Sequence, residues 1–128
     1  TDAIATRGLD DAIKRMQSFS KLGVDILFIE AVRNKEDMER IIKEVPGHHM
    51  LNLIEDGETP LLGINEIEEI GYKIAVMPLT LMSASVKTMQ ECLNNMKNKV
   101  YNKNVSKFSD LRDIVGFNEY YDIEDKYK

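Results

Sequence analysis

Polar side chains follow each of three short apolar segments of the sequence, and their residue types could do chemistry. A carboxylate, an amide and a hydroxyl on one rim could bind an anionic, oxygen-rich substrate or hold water around a metal ion. Each could equally be an ordinary loop residue or helix cap, because polar residues are common where strands end. The candidates are Glu30, Asn52, Glu55 and Thr80, together with Asp2 near the beginning of the chain.

The three apolar segments predict the strands that would position these side chains. Residues 24–29 form a nearly continuous apolar run, which is typical of a strand buried on both faces of a parallel sheet. Residues 50–54 and 73–77 predict the second and third strands. Because the C-terminal ends of parallel strands form the ligand-binding edge of α/β proteins, we expect the candidates to gather there.

Helical patterns alternate with the predicted strands. Residues 10–22 carry apolar side chains at helical spacing, Asn34 predicts the N-cap of the next helix, and residues 65–70 predict a short one stopped by Gly71. This alternation favours a parallel α/β sheet with right-handed crossovers. Three strands are few for a self-sufficient domain, so we expect the C-terminal part of a larger barrel or doubly wound sheet.

The last third of the sequence predicts helices only. One apolar face steps by 4, 3, 4 and 3 residues along a helix of roughly 16 residues, which favours core or barrel-side packing. Ser109 or Asp110 predicts the cap of a further short helix closed by Gly116, and a last helical pattern follows it. The face of the long helix consists of Met82, Val86, Met89, Leu93 and Met96.

Composition and charge exclude several classes of protein. The 128 residues are 43% hydrophobic and 30% charged, which is typical of one compact globular domain. A net charge of −5 argues against a nucleic-acid or anionic-membrane surface. A single cysteine excludes an internal disulfide, and no secretory signal is visible. We therefore expect the cytoplasm or another reducing compartment.

Two further features favour structural roles over chemistry. His48 and His49 are adjacent and would point to opposite faces of a strand, so the pair predicts a solvated turn rather than a metal site. Cys92 lies beside the apolar face of the long helix, which predicts a packed thiol.

Five blocks of the sequence, in order and in spacing, resemble the isocitrate lyase/phosphoenolpyruvate mutase superfamily. The resemblance implies an α/β fold in which this chain supplies the last three strands and trailing helices of a TIM (β/α)8 barrel. It assigns residues 1–97 to the barrel units and residues 98–128 to a trailing helical segment exchanged between subunits. The blocks are residues 1–3, 8–13, 23–31, 51–60 and 71–80.

Members of this family cleave or form C–C or P–C bonds in small 2-oxo or 2-hydroxy acids, with Mg²⁺ stabilising an enolate. The motif from Asn52 to Pro60 and the tail at residues 108–117 look most like the branch of carboxyvinyl-carboxyphosphonate phosphorylmutase, dimethylmalate lyase and oxaloacetate-cleaving enzymes. Ile54 and Ser83 occupy places where methylisocitrate lyases usually carry Thr and Arg, which disfavours a tricarboxylate. The resemblance thus implies a lyase acting on a 2-hydroxy or 2-oxo dicarboxylate to give pyruvate or a related 2-oxo acid. A phosphonomutase and a non-catalytic assembly module stay open as alternatives.

The resemblance also assigns roles residue by residue. Glu30 matches a catalytic glutamate at the substrate and metal-water network, and Asn52 matches a substrate-binding asparagine. Glu55, Thr80 and Asp2 are expected to bind substrate at the rim. The Mg²⁺ ligands are expected outside this chain. A homo-oligomer, a tetramer, is expected through the trailing helices, whose aromatic residues Phe108, Phe117, Tyr120, Tyr121 and Tyr127 would be buried by another subunit.

Overall fold

The computed structural model describes residues 1–128 and contains seven helices and one parallel sheet. By packing, the chain forms two compact units, residues 1–85 and 86–128. The predicted boundary after residue 97 separates barrel units from a trailing helical segment, which is a different division, and it stays a prediction. The elements are α1 (Ala3–Arg7), α2 (Leu9–Lys21), β1 (Leu27–Phe28), α3 (Lys35–Glu44), β2 (His49–Asn52), α4 (Ile64–Ile70), β3 (Ile74–Val76), α5 (Thr80–Lys97), α6 (Phe108–Ile114) and α7 (Phe117–Lys126).

The sheet has the strand order β1-β2-β3, and both pairs are parallel, as the alternation of helices and strands predicts. Each strand is shorter than the apolar segment that predicts it. In the first segment Leu27 and Ile29 are buried, whereas Val24 and Ile26 are 44% and 48% exposed. The expectation of a strand buried on both faces is therefore wrong for residues 24–26, which lie outside β1 and have no strand partner.

The hydrophobic core lies entirely within residues 3–72. Helices α2 and α3 pack against each other, and their buried stripes meet the buried side chains of the strands. The largest fully buried side chains are Leu27, Met38, Ile41, Leu51, Val32 and Val45. This core fixes the C-terminal ends of β1 and β2, where two of the candidate residues stand.

Sequence signals at helix ends are confirmed in the first unit. The Oδ1 atom of Asn34 accepts the backbone N–H of Asp37 at 2.7 Å, which satisfies a free donor at the start of α3. Gly71 ends α4 with φ at +122°, and a Cβ at this position would lie 2.8 Å from Ile42 Cγ2. The predicted cap at Ser109 or Asp110 is wrong, because α6 already begins at Phe108.

The apolar face of α5 is exposed rather than packed in a core. Its five residues, defined above, are 44–65% exposed, and no residue after Tyr72 is buried. The five aromatic residues named above lie on α6, on α7 or at the C-cap of α7, and they are 40–87% exposed. We call these ten residues the α5–α7 apolar surface. Cys92 is a free, half-buried thiol. No helix of the chain has both the length and the apolar character needed to cross a bilayer.

His49 is buried, which contradicts the prediction of a solvated turn for it. It is the first residue of β2 and is only 2% exposed, while His48 is exposed. Its Nε2 atom lies 2.9 Å from the carbonyl oxygen of Val45, and its ring meets the Tyr72 ring edge-on at 6.2 Å. Burial lowers the pKa of His49, because the charged imidazolium would lose its hydration.

The lowered pKa of His49 predicts a loss of stability in mild acid. Unfolded chains take up the proton near pH 6.5 whereas the folded chain takes it up only at a lower pH, so stability is complete above pH 6.5 and falls below it. The slope should be up to about 1.4 kcal/mol per pH unit. Urea unfolding of the full-length protein between pH 7.5 and 5.5 measures it, with His49→Gln and, as matched control, His48→Gln. Equal slopes for the wild type and His49→Gln would contradict the prediction.

Candidate functional site

Glu30 and Asn52 form a hydrogen-bonded pair at the C-terminal edge of the sheet. Glu30 follows β1 by two residues, and Asn52 is the last residue of β2. The Nδ2 atom of Asn52 donates to Oε2 of Glu30 over a long 3.4 Å, and the backbone N–H of Ala31 donates to Oε1 at 3.1 Å. Both side chains are half-buried. Glu30 is thus held through both carboxylate oxygens and remains partly exposed.

The backbone around Glu30 adopts an unusual conformation. Ala31 has φ at +58°, a left-handed conformation that costs a residue with a Cβ roughly 1–2 kcal/mol. Val32, directly after it, is buried and anchors the turn. The backbone N–H of Glu30 donates to the carbonyl oxygen of Thr1 at 3.0 Å. These contacts fix the direction in which the carboxylate leaves the strand, as a preorganised site requires.

Glu55 and Thr80 form a second pair. Thr80 is the first residue of α5, and its hydroxyl donates to Oε1 of Glu55 at 2.6 Å. This hydrogen bond is the main cause that lowers the pKa of the Glu55 carboxyl. Glu55 is exposed, and Asp56 directly after it is again left-handed, with φ at +62°. The loop after β2 is therefore tied to the start of α5.

Asp2 is exposed, and it does not cap α1 through its side chain. The carbonyl oxygen of its neighbour Thr1 accepts the backbone N–H of Glu30, so the backbone of Asp2 lies next to the pair of Glu30 and Asn52. The structure thus joins Glu30 to Asn52 and Glu55 to Thr80, and it gives Asp2 no polar side-chain partner. The substrate-binding and catalytic roles of these five residues stay predictions.

A third contact at this edge was missed by sequence reasoning. The Nε atom of Arg33 lies 2.9 Å from Oε2 of Glu58, joining the loop after β1 to the loop after β2. The sequence offers one signal for this ion pair, which is an equal spacing from the two candidate glutamates. Arg33 comes three residues after Glu30, and Glu58 comes three residues after Glu55.

The donor set of this chain does not make a complete magnesium site. No group of three or more His, Cys, Asp or Glu side chains is arranged to hold a metal ion. Octahedral Mg²⁺ takes six oxygen ligands, and Glu30 offers one carboxylate whose oxygens already accept hydrogen bonds. Glu30 and Asn52 could instead hold water around an ion bound by other residues.

Two curated proteins are similar to almost the whole of this chain. The chain is 34% identical to 2,3-dimethylmalate lyase of Eubacterium barkeri, over 99% of the chain and 45% of the relative. It is 31% identical to the chloroplastic carboxyvinyl-carboxyphosphonate phosphorylmutase of Arabidopsis thaliana, over 99% of the chain and 40% of the relative. The chain therefore spans less than half the length of these relatives. No protein-family model matches it.

A solved structure shares the fold. The crystal structure of 2,3-dimethylmalate lyase, described as a member of the PEP mutase/isocitrate lyase superfamily, superposes with a TM-score of 0.83 at 23% identity. The superposition covers 100% of this chain and 46% of that one. This confirms the expected α/β fold, in which the parallel strands and their helices correspond to the C-terminal part of a barrel. The chain belongs to the isocitrate lyase/phosphoenolpyruvate mutase superfamily.

Proposed function

We propose that this chain forms part of a barrel lyase that cleaves a C–C bond in a small 2-hydroxy or 2-oxo dicarboxylate. The product would be pyruvate or a related 2-oxo acid. The observation that carries the proposal is the Glu30 carboxylate, held by Asn52 and the Ala31 N–H where β1 and β2 end. It stands in a chain that is 34% identical to a protein named as a lyase of 2,3-dimethylmalate.

The two side chains can divide the work of such a cleavage. When the bond between C2 and C3 of a 2-hydroxy dicarboxylate breaks, the hydroxyl loses its proton and its oxygen becomes the carbonyl oxygen of the 2-oxo acid. The electron pair of the broken bond stays on the other fragment as an enolate, which then takes up a proton. The Glu30 carboxylate can accept a hydrogen bond from that hydroxyl or from an intervening water. The Asn52 amide, only weakly bonded to Glu30 at 3.4 Å, can donate to a substrate oxygen.

We include Mg²⁺ in the proposal as the cofactor of the full-length protein, held mainly by residues outside this chain. A divalent ion would supply electrostatic stabilisation of an enolate. The chain's own contribution would be the pair Glu30 and Asn52 facing the substrate and the water around the ion.

Phosphonomutase chemistry is the second candidate, since the chain is also 31% identical to a phosphorylmutase. A non-catalytic assembly module is the third, because these 128 residues alone do not complete a metal site. The three candidate functions can be distinguished by the product that the protein forms from each of several defined substrates.

The test is an assay of the full-length protein with Mg²⁺ and separate substrates. We expect pyruvate from a substituted malate or a 2-oxo acid from a related diacid, and loss of the product with EDTA. Rearrangement of phosphonopyruvate without C–C cleavage would favour the mutase. No reaction with any 2-hydroxy dicarboxylate, oxaloacetate or phosphonopyruvate would overturn the lyase and favour the assembly module.

We also propose that the α5–α7 apolar surface is covered by another copy of the protein in a homo-oligomer. Its ten apolar side chains are 40–87% exposed, so much of their apolar area is not covered by their own chain. In sedimentation velocity the full-length protein should behave as a tetramer. Leu93→Glu should shift it towards smaller species, because a charge would be desolvated in the interface, while Lys97→Glu serves as the control outside the surface. A monomeric wild type would contradict the proposal.

A further inference from the structure

The loops that leave the three strands carry mainly negative charge. Residues 29–34, 53–63 and 77–79 contain the acidic residues Glu30, Glu55, Asp56 and Glu58. They contain one Lys or Arg, which is Arg33. A ligand with two negative groups would meet repulsion from these carboxylates, and a cationic side chain in these loops would offset it in addition to any metal ion held by residues outside this chain. Within these loops, Arg33 is that side chain.

The backbone beside Arg33 is anchored by a buried neighbour, and the guanidinium forms an exposed ion pair with Glu58. Val32 before it is 1% exposed, and Thr59 after Glu58 is 8% exposed, so both loops are anchored beside the pair. The side chains of Arg33 and Glu58 are themselves 59% and 63% exposed. An exposed ion pair contributes little to stability, so replacing Glu58 by another anion costs little.

The neighbouring cation is less suited to this role. Lys35 begins α3 and donates to Glu66 of α4 at 2.6 Å, with Glu39 at 4.0 Å as a second partner. The hydrogen bond to Glu66 raises the pKa of Lys35, so its charge is committed to joining the two helices. Arginine also presents a planar pair of donors that fits a carboxylate or phosphonate bidentately, which an ammonium does not.

We infer that Arg33 is a specificity-determining residue that binds the second anionic group of the ligand, releasing Glu58 as it does so. The inference rests on the proposed function, in which Glu30 and Asn52 contact the 2-hydroxy or 2-oxo acid end of the substrate. The second group is a carboxylate in a malate-type substrate and a phosphonate in a phosphonopyruvate-type one. Glu58 then acts as the internal counter-ion of Arg33 in the free protein.

Equilibrium binding to the full-length protein tests this with matched ligands. Malate is lactate with an additional carboxylate, and phosphonopyruvate is pyruvate with an additional phosphonate. By titration calorimetry, Arg33→Gln should weaken the binding of the doubly charged ligand roughly 10-fold and leave lactate or pyruvate unchanged. Arg33→Lys should lie between, because it keeps the charge without the planar fork.

Two further variants separate the exchange from general charge effects. Glu58→Gln should tighten malate or phosphonopyruvate binding by about 2- to 5-fold, since the competing carboxylate is gone. Arg40→Gln is the matched control, because Arg40 also forms an exposed arginine pair, with Asp10 and Glu44 of α2 and α3, away from the strand ends. It should not change the affinity for either ligand.

The results also distinguish this inference from the proposed function. A wild type that prefers the doubly charged ligand, with that preference lost in Arg33→Gln, supports the inference even where no C–C cleavage is detected. The pair of ligands that shows the effect identifies the carboxylate or the phosphonate. The inference is overturned by a wild type without such a preference, or by Arg33→Gln weakening the singly and doubly charged ligands equally, while the lyase activity could still stand.

Discussion

Glu30→Gln is expected to lower kcat/KM of the full-length protein by about 100-fold or more, the range typical for removing a positioned acid–base or electrostatic group. Glutamine keeps the size of the side chain and can still accept the Ala31 N–H. It loses the negative charge and turns an amide NH₂ towards the Nδ2 donor of Asn52. Steady-state release of pyruvate from a substituted malate measures the effect.

Glu36→Gln is the matched control for this substitution. Glu36 is an exposed carboxylate in the first turn of α3 and lies outside the strand-end pairs. Its replacement should leave kcat/KM within about 2-fold, because exposed surface changes contribute little. An active Glu30→Gln protein with unchanged kcat/KM would remove Glu30 from the site.

Asn52→Ala is expected to reduce kcat/KM by roughly 10- to 100-fold, mainly through a higher KM. The substitution removes the Nδ2 donor and leaves Oε2 of Glu30 without its partner, and hydrogen bonds to charged groups have effects of this order. Asn52→Asp should be worse, since it would place a second carboxylate against Glu30. The same pyruvate assay measures both variants.

The control for the asparagine is Asn65→Ala on α4, an exposed amide away from the strand ends. Its kinetics should match those of the wild type. If Asn52→Ala also matched the wild type, substrate binding by Asn52 would be excluded. A thermal unfolding curve for each variant separates lost binding from lost folding.

Much of the fold can be predicted from periodicity and caps. The three strands, the helix after Asn34 and the stop at Gly71 follow from local patterns, since each depends on nearby residues. The exposure of Val24 and of the α5 face could not be predicted in this way. The spacing of apolar residues indicates which face of an element is apolar. Which other element covers that face depends on the tertiary structure.

The site was predictable to the level of the sheet edge. Strand ends placed Glu30 and Asn52 together, but the pairing of Glu55 with Thr80 and of Arg33 with Glu58 depends on loop geometry. Those loops turn at Ala31 and Asp56, two non-glycine residues in the left-handed conformation. Aspartate is enriched in this conformation whereas alanine is not, so the turn at Ala31 and the contacts that follow from it have no signal in the sequence.

The outer edge of β3 has a consequence for how this chain must be handled. β3 pairs with β2 on one side alone, so the backbone donors and acceptors on its other side await a strand. Ile74 and Met77 beside that edge are 37% and 50% exposed. An open, apolar edge is a template for self-association. If these 128 residues are expressed by themselves, pairing of this edge with another strand would therefore compete with aggregation. The yield of folded protein would depend on how fast that pairing occurs.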